Sequence, residues 1–296
     1  MSARLIRIAL FALALLAGSA FAAPQAIVTI VDGEVTLIRD TQRFAAAEGL
    51  RLRSDDIVHT GTAARLVRIE FTDGSVLDLG PDSQVLLPSG GSRTAYIAQG
   101  WAKLAGAKGS QLSIGTPRLE LARLEGTAVL RVAKDQSAVF VEAGRAELQD
   151  RRNGQPMQTP ALRDGQTLVL RGDEPAAVQA RPPAEMLAQL PRGFADSLPL
   201  RARVFQFRPV EPGAGAEVRY AEVSPWLNAE TTVRSPLVAR FRPLARDREF
   251  RAGLVADLRA HPEWDRVLHP AKYRPKPKRA VLTAAPTDVA ASAAYR

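Results

Sequence analysis

The sequence predicts an all-β domain followed by a small α-rich module, and three observations carry that expectation. From Ala26 to Leu170 apolar and polar residues alternate with a period of two. Turn residues break the alternation about every 8–12 positions, the spacing of an all-β sandwich, barrel or solenoid. After Asp173 the pattern changes: prolines cluster, and apolar residues then return with a helical period.

Ahead of the domain, Arg4 and Arg7 form a basic start, "LIRIALFALALLAGSAFA" an apolar run, and Ala20-Phe21-Ala22 a small-x-small cleavage pattern. The expectation is a secretory signal over residues 1–22, cut after Ala22, and a mature chain in a periplasm. No second apolar run of spanning length follows. The chain has no cysteine, which excludes disulfides, thiol catalysis, cysteine-held zinc and lipobox anchorage, so the apolar core alone must hold the fold.

The β-domain is expected over residues 24–172. "AIVTIVDGEVTLIRD" reads as two strands about an Asp32-Gly33 turn, and "VRIEF" with "SVLDL" as a second pair. "AVLRVA" and "AVFVEA" flank a turn at Lys134-Asp135-Gln136, and "RAELQD" and "TLVLRG" complete the set. A faint internal repeat pairs Gly61-Thr62 with Gly126-Thr127. Residues 173–200, broken by Pro175, Pro182, Pro183 and Pro191, read as a linker carrying one short helix in "AEMLAQL". Residues 201–270 read as the C-terminal module, opening with a strand pair or loop in "RARVFQFRPV". In "DREFRAGLVADLRA", Phe250, Leu254, Val255 and Leu258 share one face and Asp247 caps the helix. Pro262 starts a short helix, "PEWDRVL". Residues 271–296 are expected to be a disordered basic tail.

Asp73, Asp78 and Asp82 lie close together and could mark a carboxylate site. Register decides against it. With a two-residue turn at Asp73-Gly74, Ile69 faces Asp78 and Glu70 faces Leu77, so both faces are mixed. With a three-residue loop, Thr72-Asp73-Gly74, Ile69 faces Leu77, Val67 faces Leu79 and Arg68 faces Asp78. One face is then wholly apolar and the other gains an ion pair. Arg68, Asp73, Gly74 and Asp78 are therefore expected to build a hairpin, with the exposed Arg68–Asp78 pair worth under about 1 kcal/mol. Asp82, after Gly80-Pro81, fits a second turn.

The series "HTGTAARLVRIEFTDGSVLDLGPDSQVLL", "LEGTAVLRV", "VFVEAGRAELQD" and "LRDGQTLVL" resembles the FecR-type periplasmic domain over about residues 28–170. The resemblance implies an all-β periplasmic module without catalytic residues. The best-known members relay a signal from an outer-membrane transporter to a cytoplasmic sigma factor, through a sigma-binding segment placed before a transmembrane helix. Here an export-signal pattern starts at Met1, so a binding module rather than a sigma regulator is expected. The resemblance does not extend to the C-terminal module.

The formal net charge is +9, and it is unevenly placed. Lys272, Arg274, Lys276, Lys278, Arg279 and Arg296 against Asp288 give the tail +5; Arg234, Arg240, Arg242, Arg246, Arg248 and Arg251 against Asp247 and Glu249 give +4. Without the signal, the remainder is −2. Those six arginines, interleaved with Phe241, Leu244 and Phe250, are the candidate contact for an anionic partner. Trp101 is the candidate for stacking on a sugar ring, whereas Trp226 and Trp264 read as core anchors. His59, His261 and His269 have no metal-ligating spacing and are expected at the surface or at caps. No metal, cofactor or catalytic residue is expected, and no nucleophile elbow or Walker loop occurs.

The functional expectation is a non-enzymatic periplasmic binding or adaptor protein of the cell envelope. It would engage an envelope protein or a peptidoglycan or other anionic glycan surface, with peripheral membrane contact and no nucleic acid. The alternatives are a FecR-like envelope signalling protein held by an uncleaved N-terminal anchor, and a cell-wall glycan hydrolase, whose paired carboxylates leave no sequence signature.

Overall fold

The computed structural model describes residues 26–89, 93–110, 112–151 and 155–274. The expected signal over residues 1–22 and the tail beyond Arg274 lie outside the described residues. The strands, in order, are β1 (Ala26–Asp32), β2 (Val35–Arg39), β3 (Gln42–Ala45), β4 (Arg51–Leu52), β5 (Ile57–Thr60), β6 (Leu66–Phe71), β7 (Val76–Leu79) and β8 (Gln84–Leu86). There follow the long β9 (Ala95–Gly106), β10 (Ile114–Gly115), β11 (Leu119–Val132) and β12 (Gln136–Asp150), then β13 (Met157–Gln158), β14 (Leu162–Arg163), β15 (Thr167–Arg171), β16 (Ala177–Gln179) and β17 (Ala216–Glu217). The helices are α1 (Ala184–Ala188), α2 (Tyr220–Leu227), α3 (Thr231–Phe241), α4 (Arg248–Ala256) and α5 (Asp265–Leu268).

Pairing is antiparallel except between β9 and β10. The long strands belong to two layers at once. The second half of β9 pairs with β7 and β11, its first half with β8 and β10. One layer runs β4-β1-β6-β7-β9-β11-β12-β15-β16; the other runs β17-β3-β2-β5-β8-β9-β10-β11-β12 with β13 and β14 at its edge. The bend between layers needs glycine. Gly126 (φ +104°) faces Gly144 (φ +92°) across β11 and β12, and a Cβ on either would fall 2.1 or 1.9 Å from a neighbouring carbonyl oxygen. Only glycine lets the two backbones approach so closely at positive φ. Between the layers, Val28, Val67, Ile69, Leu77 and Leu168 meet Leu37, Val58, Val85, Ile97 and Leu148 in one core. This is the sandwich form of the expected all-β class.

The hairpin has the three-residue loop. Val67 pairs with Leu79, Arg68 with Asp78 and Ile69 with Leu77. Phe71 N donates to Ser75 O at 2.9 Å, Gly74 takes φ +83°, and Asp73 Oδ1 accepts from Ser75 N at 2.9 Å. Asp82 turns the chain at φ +52°. The expected exposure of the Arg68–Asp78 pair is corrected. All six residues of β6 are buried, Arg68 at 5% and Asp78 at 4% exposure.

The cause is residues 181–202, which form a strap rather than a free linker. The β-domain itself runs on past residue 172, since β16 pairs with β15. The chain then crosses the outer face of the first layer, where Met186 and Phe194 bury against Leu66, Trp101, Val129, Ala138 and Val169. Polar ties hold it down. Lys103 Nζ donates to Phe194 O at 2.6 Å, Arg68 Nη1 to Leu198 O at 2.8 Å, and Arg201 N and Ala202 N donate to the buried Glu70. Outward-facing residues of an antiparallel sheet are ordinarily wet; here the strap covers them.

The second layer is covered by the helices. Ile38, Ile57, Leu86 and Tyr96 point away from the sandwich core and pack against Trp226, Leu227, Leu237, Phe241 and Phe250. "RARVFQFRPV" forms no strand pair. It makes a 3-10 turn over Ala202–Phe205 and a single bridge from Val210 to Leu50. β17 adds to β3. Residues 271–273, expected in the tail, belong to the module, because Pro270–Tyr273 form a 3-10 turn tied to Asp265 by Lys272 (2.7 Å) and the Tyr273 hydroxyl. Three hydrogen bonds to its carboxylate, that from Lys272 foremost, hold Asp265 well below the usual carboxylate range.

Candidate functional site

The junction between the second β-layer and the helices is built from groups far apart in sequence. His59 on β5 faces out of the sandwich. Its Nε2 accepts a hydrogen bond from Trp226 Nε1 at 2.9 Å, and the two rings stack 6.1 Å apart. Burial pushes the His59 pKa down to about 4, with Glu222 opposing weakly. A neutral imidazole is what accepting that bond requires. The expectation of a surface or cap role for His59 is thus corrected: it anchors the helical module. His59 is partly buried, and His261 is fully buried, with Nε2 3.1 Å from the Tyr220 hydroxyl. Only His269 is exposed, 2.8 Å from Asp265.

Two further ties cross the junction. Glu230, at the start of α3, accepts from Arg93 at 3.1 Å and Arg151 at 2.8 Å, while Arg93 also pairs with Glu120 at 3.0 Å. Glu230 holds the N-cap position, where the helix dipole favours a carboxylate, but its side chain caps no helix N–H and serves as the bridge to the arginines. Arg240 donates to the backbone carbonyls of Ile38, Asp40 and Asp55. Burial lowers its guanidinium pKa from the ordinary value, while Asp40, Asp56 and Asp55 hold it up. Beside this junction lies a cleft of about 300 Å³, lined by Asp55, Pro88, Arg93, Tyr96, Glu120 and Thr232 among others. The Tyr96 hydroxyl is buried and has no hydrogen-bond partner.

The six arginines separate into two groups. Arg234 pairs with Glu263 at 2.9 Å, Arg240 caps the carbonyls just described, and Arg251 donates to Leu268 O at 2.7 Å. These three hold the module together and are not free for a partner. Arg242, Arg246 and Arg248 are exposed and carry no ion pair among the described residues. They follow one another around the 3-10 turn Arg242–Arg246 and the start of α4, where Asp247 caps the helix by accepting from Phe250 N at 2.8 Å. What remains of the expected contact surface is a basic rim of three guanidiniums.

Trp101 does not stack on a ligand from where it sits. It is 8% exposed, packs with Met186 and Phe194 beneath the strap, and lies 4.9 Å under the Arg131 guanidinium. The carboxylates are likewise committed to structure: Asp73 to its own turn, Asp78 to Arg68, Glu120 and Glu230 to the arginine bridge. Among the described residues no cluster of histidine and carboxylate could hold a metal ion, and no helix is long and apolar enough to cross a membrane.

Residues 56–147, about a third of the chain, match the family model described as "FecR: FecR protein". No curated protein matches the chain. Two solved structures of a proposed anti-sigma factor from Parabacteroides distasonis are similar to it. One has 12% identity and a TM-score of 0.35 over 42% of this chain and 59% of its own; the other has 13% identity and 0.33 over 38% and 55%. The chain thus spans less than two thirds of either, and likeness at that level carries no argument about function. The family match falls on the sandwich, from the start of β5 into β12, and takes in the Arg68–Asp78 hairpin and the Gly126–Gly144 bend. The β-domain of this chain is a FecR-type domain.

Proposed function

We propose that the protein is a non-enzymatic binding or adaptor protein of the cell envelope, resident in the periplasm. One observation carries the reading. The chain's own C-terminal half sheathes both outer faces of the FecR-type sandwich and turns it into one body. Asp78, Glu120, Glu230, His59 and His261 are spent on that assembly, while Arg242, Arg246 and Arg248 are left facing solvent. Such a rim suits an anionic partner, a wall polymer such as peptidoglycan or an acidic protein face. The test is co-sedimentation with purified peptidoglycan at two salt concentrations. Binding that weakens with salt, and is lost in Arg242→Glu/Arg246→Glu/Arg248→Glu, supports the reading. Binding unchanged by the triple substitution removes the rim from it.

The family match favours a second reading, envelope signalling by a FecR-type domain held at the membrane by an uncleaved N-terminal anchor. Sequencing the N-terminus of the protein isolated from cells separates the two. A start at Ala23 eliminates the anchored form.

A further inference from the structure

Leu200, Val204 and Phe207 are 62%, 63% and 87% exposed. Other large exposed apolar residues, such as Met157, Val178 and Leu187, are scattered singly, as on most soluble surfaces. Three within eight residues are different. They are not on a loose loop. Val204 N donates to Arg201 O at 2.9 Å, Gln206 N to Arg203 O at 3.3 Å and Arg208 N to Phe205 O at 3.2 Å, so consecutive tight turns fix the segment. In such turns residues three apart eclipse, which sets Val204 beside Phe207.

The backbone is also pinned to the β-domain. Glu70 accepts from Arg201 N and Ala202 N, Arg201 pairs with Glu48 at 3.1 Å, and Arg51 Nη2 donates to Gln206 O at 3.0 Å. Phe205 turns inward over Gly49, where an added Cβ would meet its ring at 2.9 Å. The inward aromatic and the pinned backbone hold Val204 and Phe207 outward. Arg203 and Arg208 flank them, both exposed and without an ion pair among the described residues.

We propose that this ridge, Leu200–Arg208, docks on an anionic lipid surface. Protruding apolar side chains between free arginines match a bilayer interface, where apolar groups sink below the headgroups and guanidiniums stay among the phosphates. A convex ridge needs no complementary pocket in its partner, and a lipid surface supplies none. The place in the fold agrees. The groove beside the ridge is lined by Ala26 and Ile27, the first residues of β1, with Phe71 and Phe205. The apolar run Leu5–Ala22 ends four residues before Ala26. Four extended residues reach at most about 14 Å, so a bilayer that holds the run lies within reach of the ridge. The proposal does not involve Arg242, Arg246 and Arg248, and its argument from reach rests on the anchored reading, in which the run stays in the bilayer.

The absence of cysteine gives a direct test on the full chain. Val204→Cys is labelled with an environment-sensitive dye and mixed with phosphatidylglycerol/phosphatidylcholine vesicles or with phosphatidylcholine alone. The expected result is a blue shift with the anionic vesicles only. Each arginine near such a surface contributes about fivefold in affinity, so Arg203→Glu/Arg208→Glu should weaken half-saturation by more than about twentyfold while circular dichroism stays unchanged. The same dye at Val178→Cys, on the far edge of that β-layer, should not shift. A dye at position 204 that stays in water, an equal shift with neutral vesicles, an unchanged double variant, or an equal shift at position 178 overturns the proposal. A shift that grows with protein concentration without vesicles assigns the ridge to self-association and overturns it equally.

Discussion

Removing Asp78 tests whether the strap closes over the sheet. In the folded protein Arg68 Nε and Nη2 donate to the two Asp78 oxygens, each at 2.7 Å, and Arg68 Nη1 donates to Leu198 O at 2.8 Å. That bidentate bond is the main cause that raises the Arg68 pKa, and burial opposes it. Asp78→Ala leaves a guanidinium at 5% exposure with its fork unpaired and only one carbonyl bonded. Lys103, opposite Asp78 on β9, brings no uncompensated charge to the patch, because Glu142 pairs with it at 2.9 Å. Breaking a buried pair from one side costs about 3–5 kcal/mol, and the neighbouring Glu70 favours the lower end. An exposed pair would cost under about 1 kcal/mol. The assay is urea unfolding followed by circular dichroism, with Arg68→Leu/Asp78→Leu as the control. The double variant removes both charges and should lie within about 1–2 kcal/mol of the parent. A loss below about 1 kcal/mol in Asp78→Ala alone would refute the reasoning, because water would then be reaching the pair and the strap would be open.

Other outcomes follow from the junction and the bend. His59 titrates near pH 4 when folded, below its ordinary 6.5, so the unfolded chain binds the extra proton first. Its contribution is complete above pH 6.5 and is lost as the pH falls through 4, a change of about 3 kcal/mol; stability measured against pH should fall less steeply across that window in His59→Gln. Trp226→Ala should cost about 3–5 kcal/mol and make the helices susceptible to limited proteolysis before the sandwich is cut. Gly126→Ala, whose Cβ would meet Ala143 O at 2.1 Å, should lower the thermal midpoint more than Gly74→Ala, which meets only Ala107 Cβ at 3.6 Å and costs about 1–2 kcal/mol.

Much of the fold is legible in the chain because strand physics is local. Alternation in "VRIEF" and "SVLDL" tells which residues share a face, and a three-residue loop is the one register that leaves a face wholly apolar. The face pattern extends even to the covered sides: Leu66, Arg68 and Glu70 all point the same way. Helix α4 is readable from its cap and from Phe250 and Leu254 for the same reason, whereas Val255, expected on the same face, is half exposed and Leu258 lies past the helix end. The candidate site was much less legible. Nothing within a few residues of Arg234, Arg240 or Arg251 tells them from Arg242, Arg246 and Arg248, since the acceptors that occupy the first three are set by packing rather than by spacing. Glu263 and Leu268 lie in the next turns of the module, and Arg240 finds Ile38 O across 202 residues.

The sequence by itself determined the sandwich strands, the hairpin register, the helical character of the module and the concentration of positive charge near its end, because each depends on residues a few positions apart. Only the tertiary structure decided what covers the outer faces. Leu198 reaches Arg68 across 130 residues and Trp226 reaches His59 across 167. A period of two assigns a side chain to one face of a sheet, but whether that face meets water is decided by whichever distant segment packs on it. That is why a surface ion pair became a buried one, a sugar-stacking candidate became a floor for the strap, and a surface histidine became the anchor of the helical module.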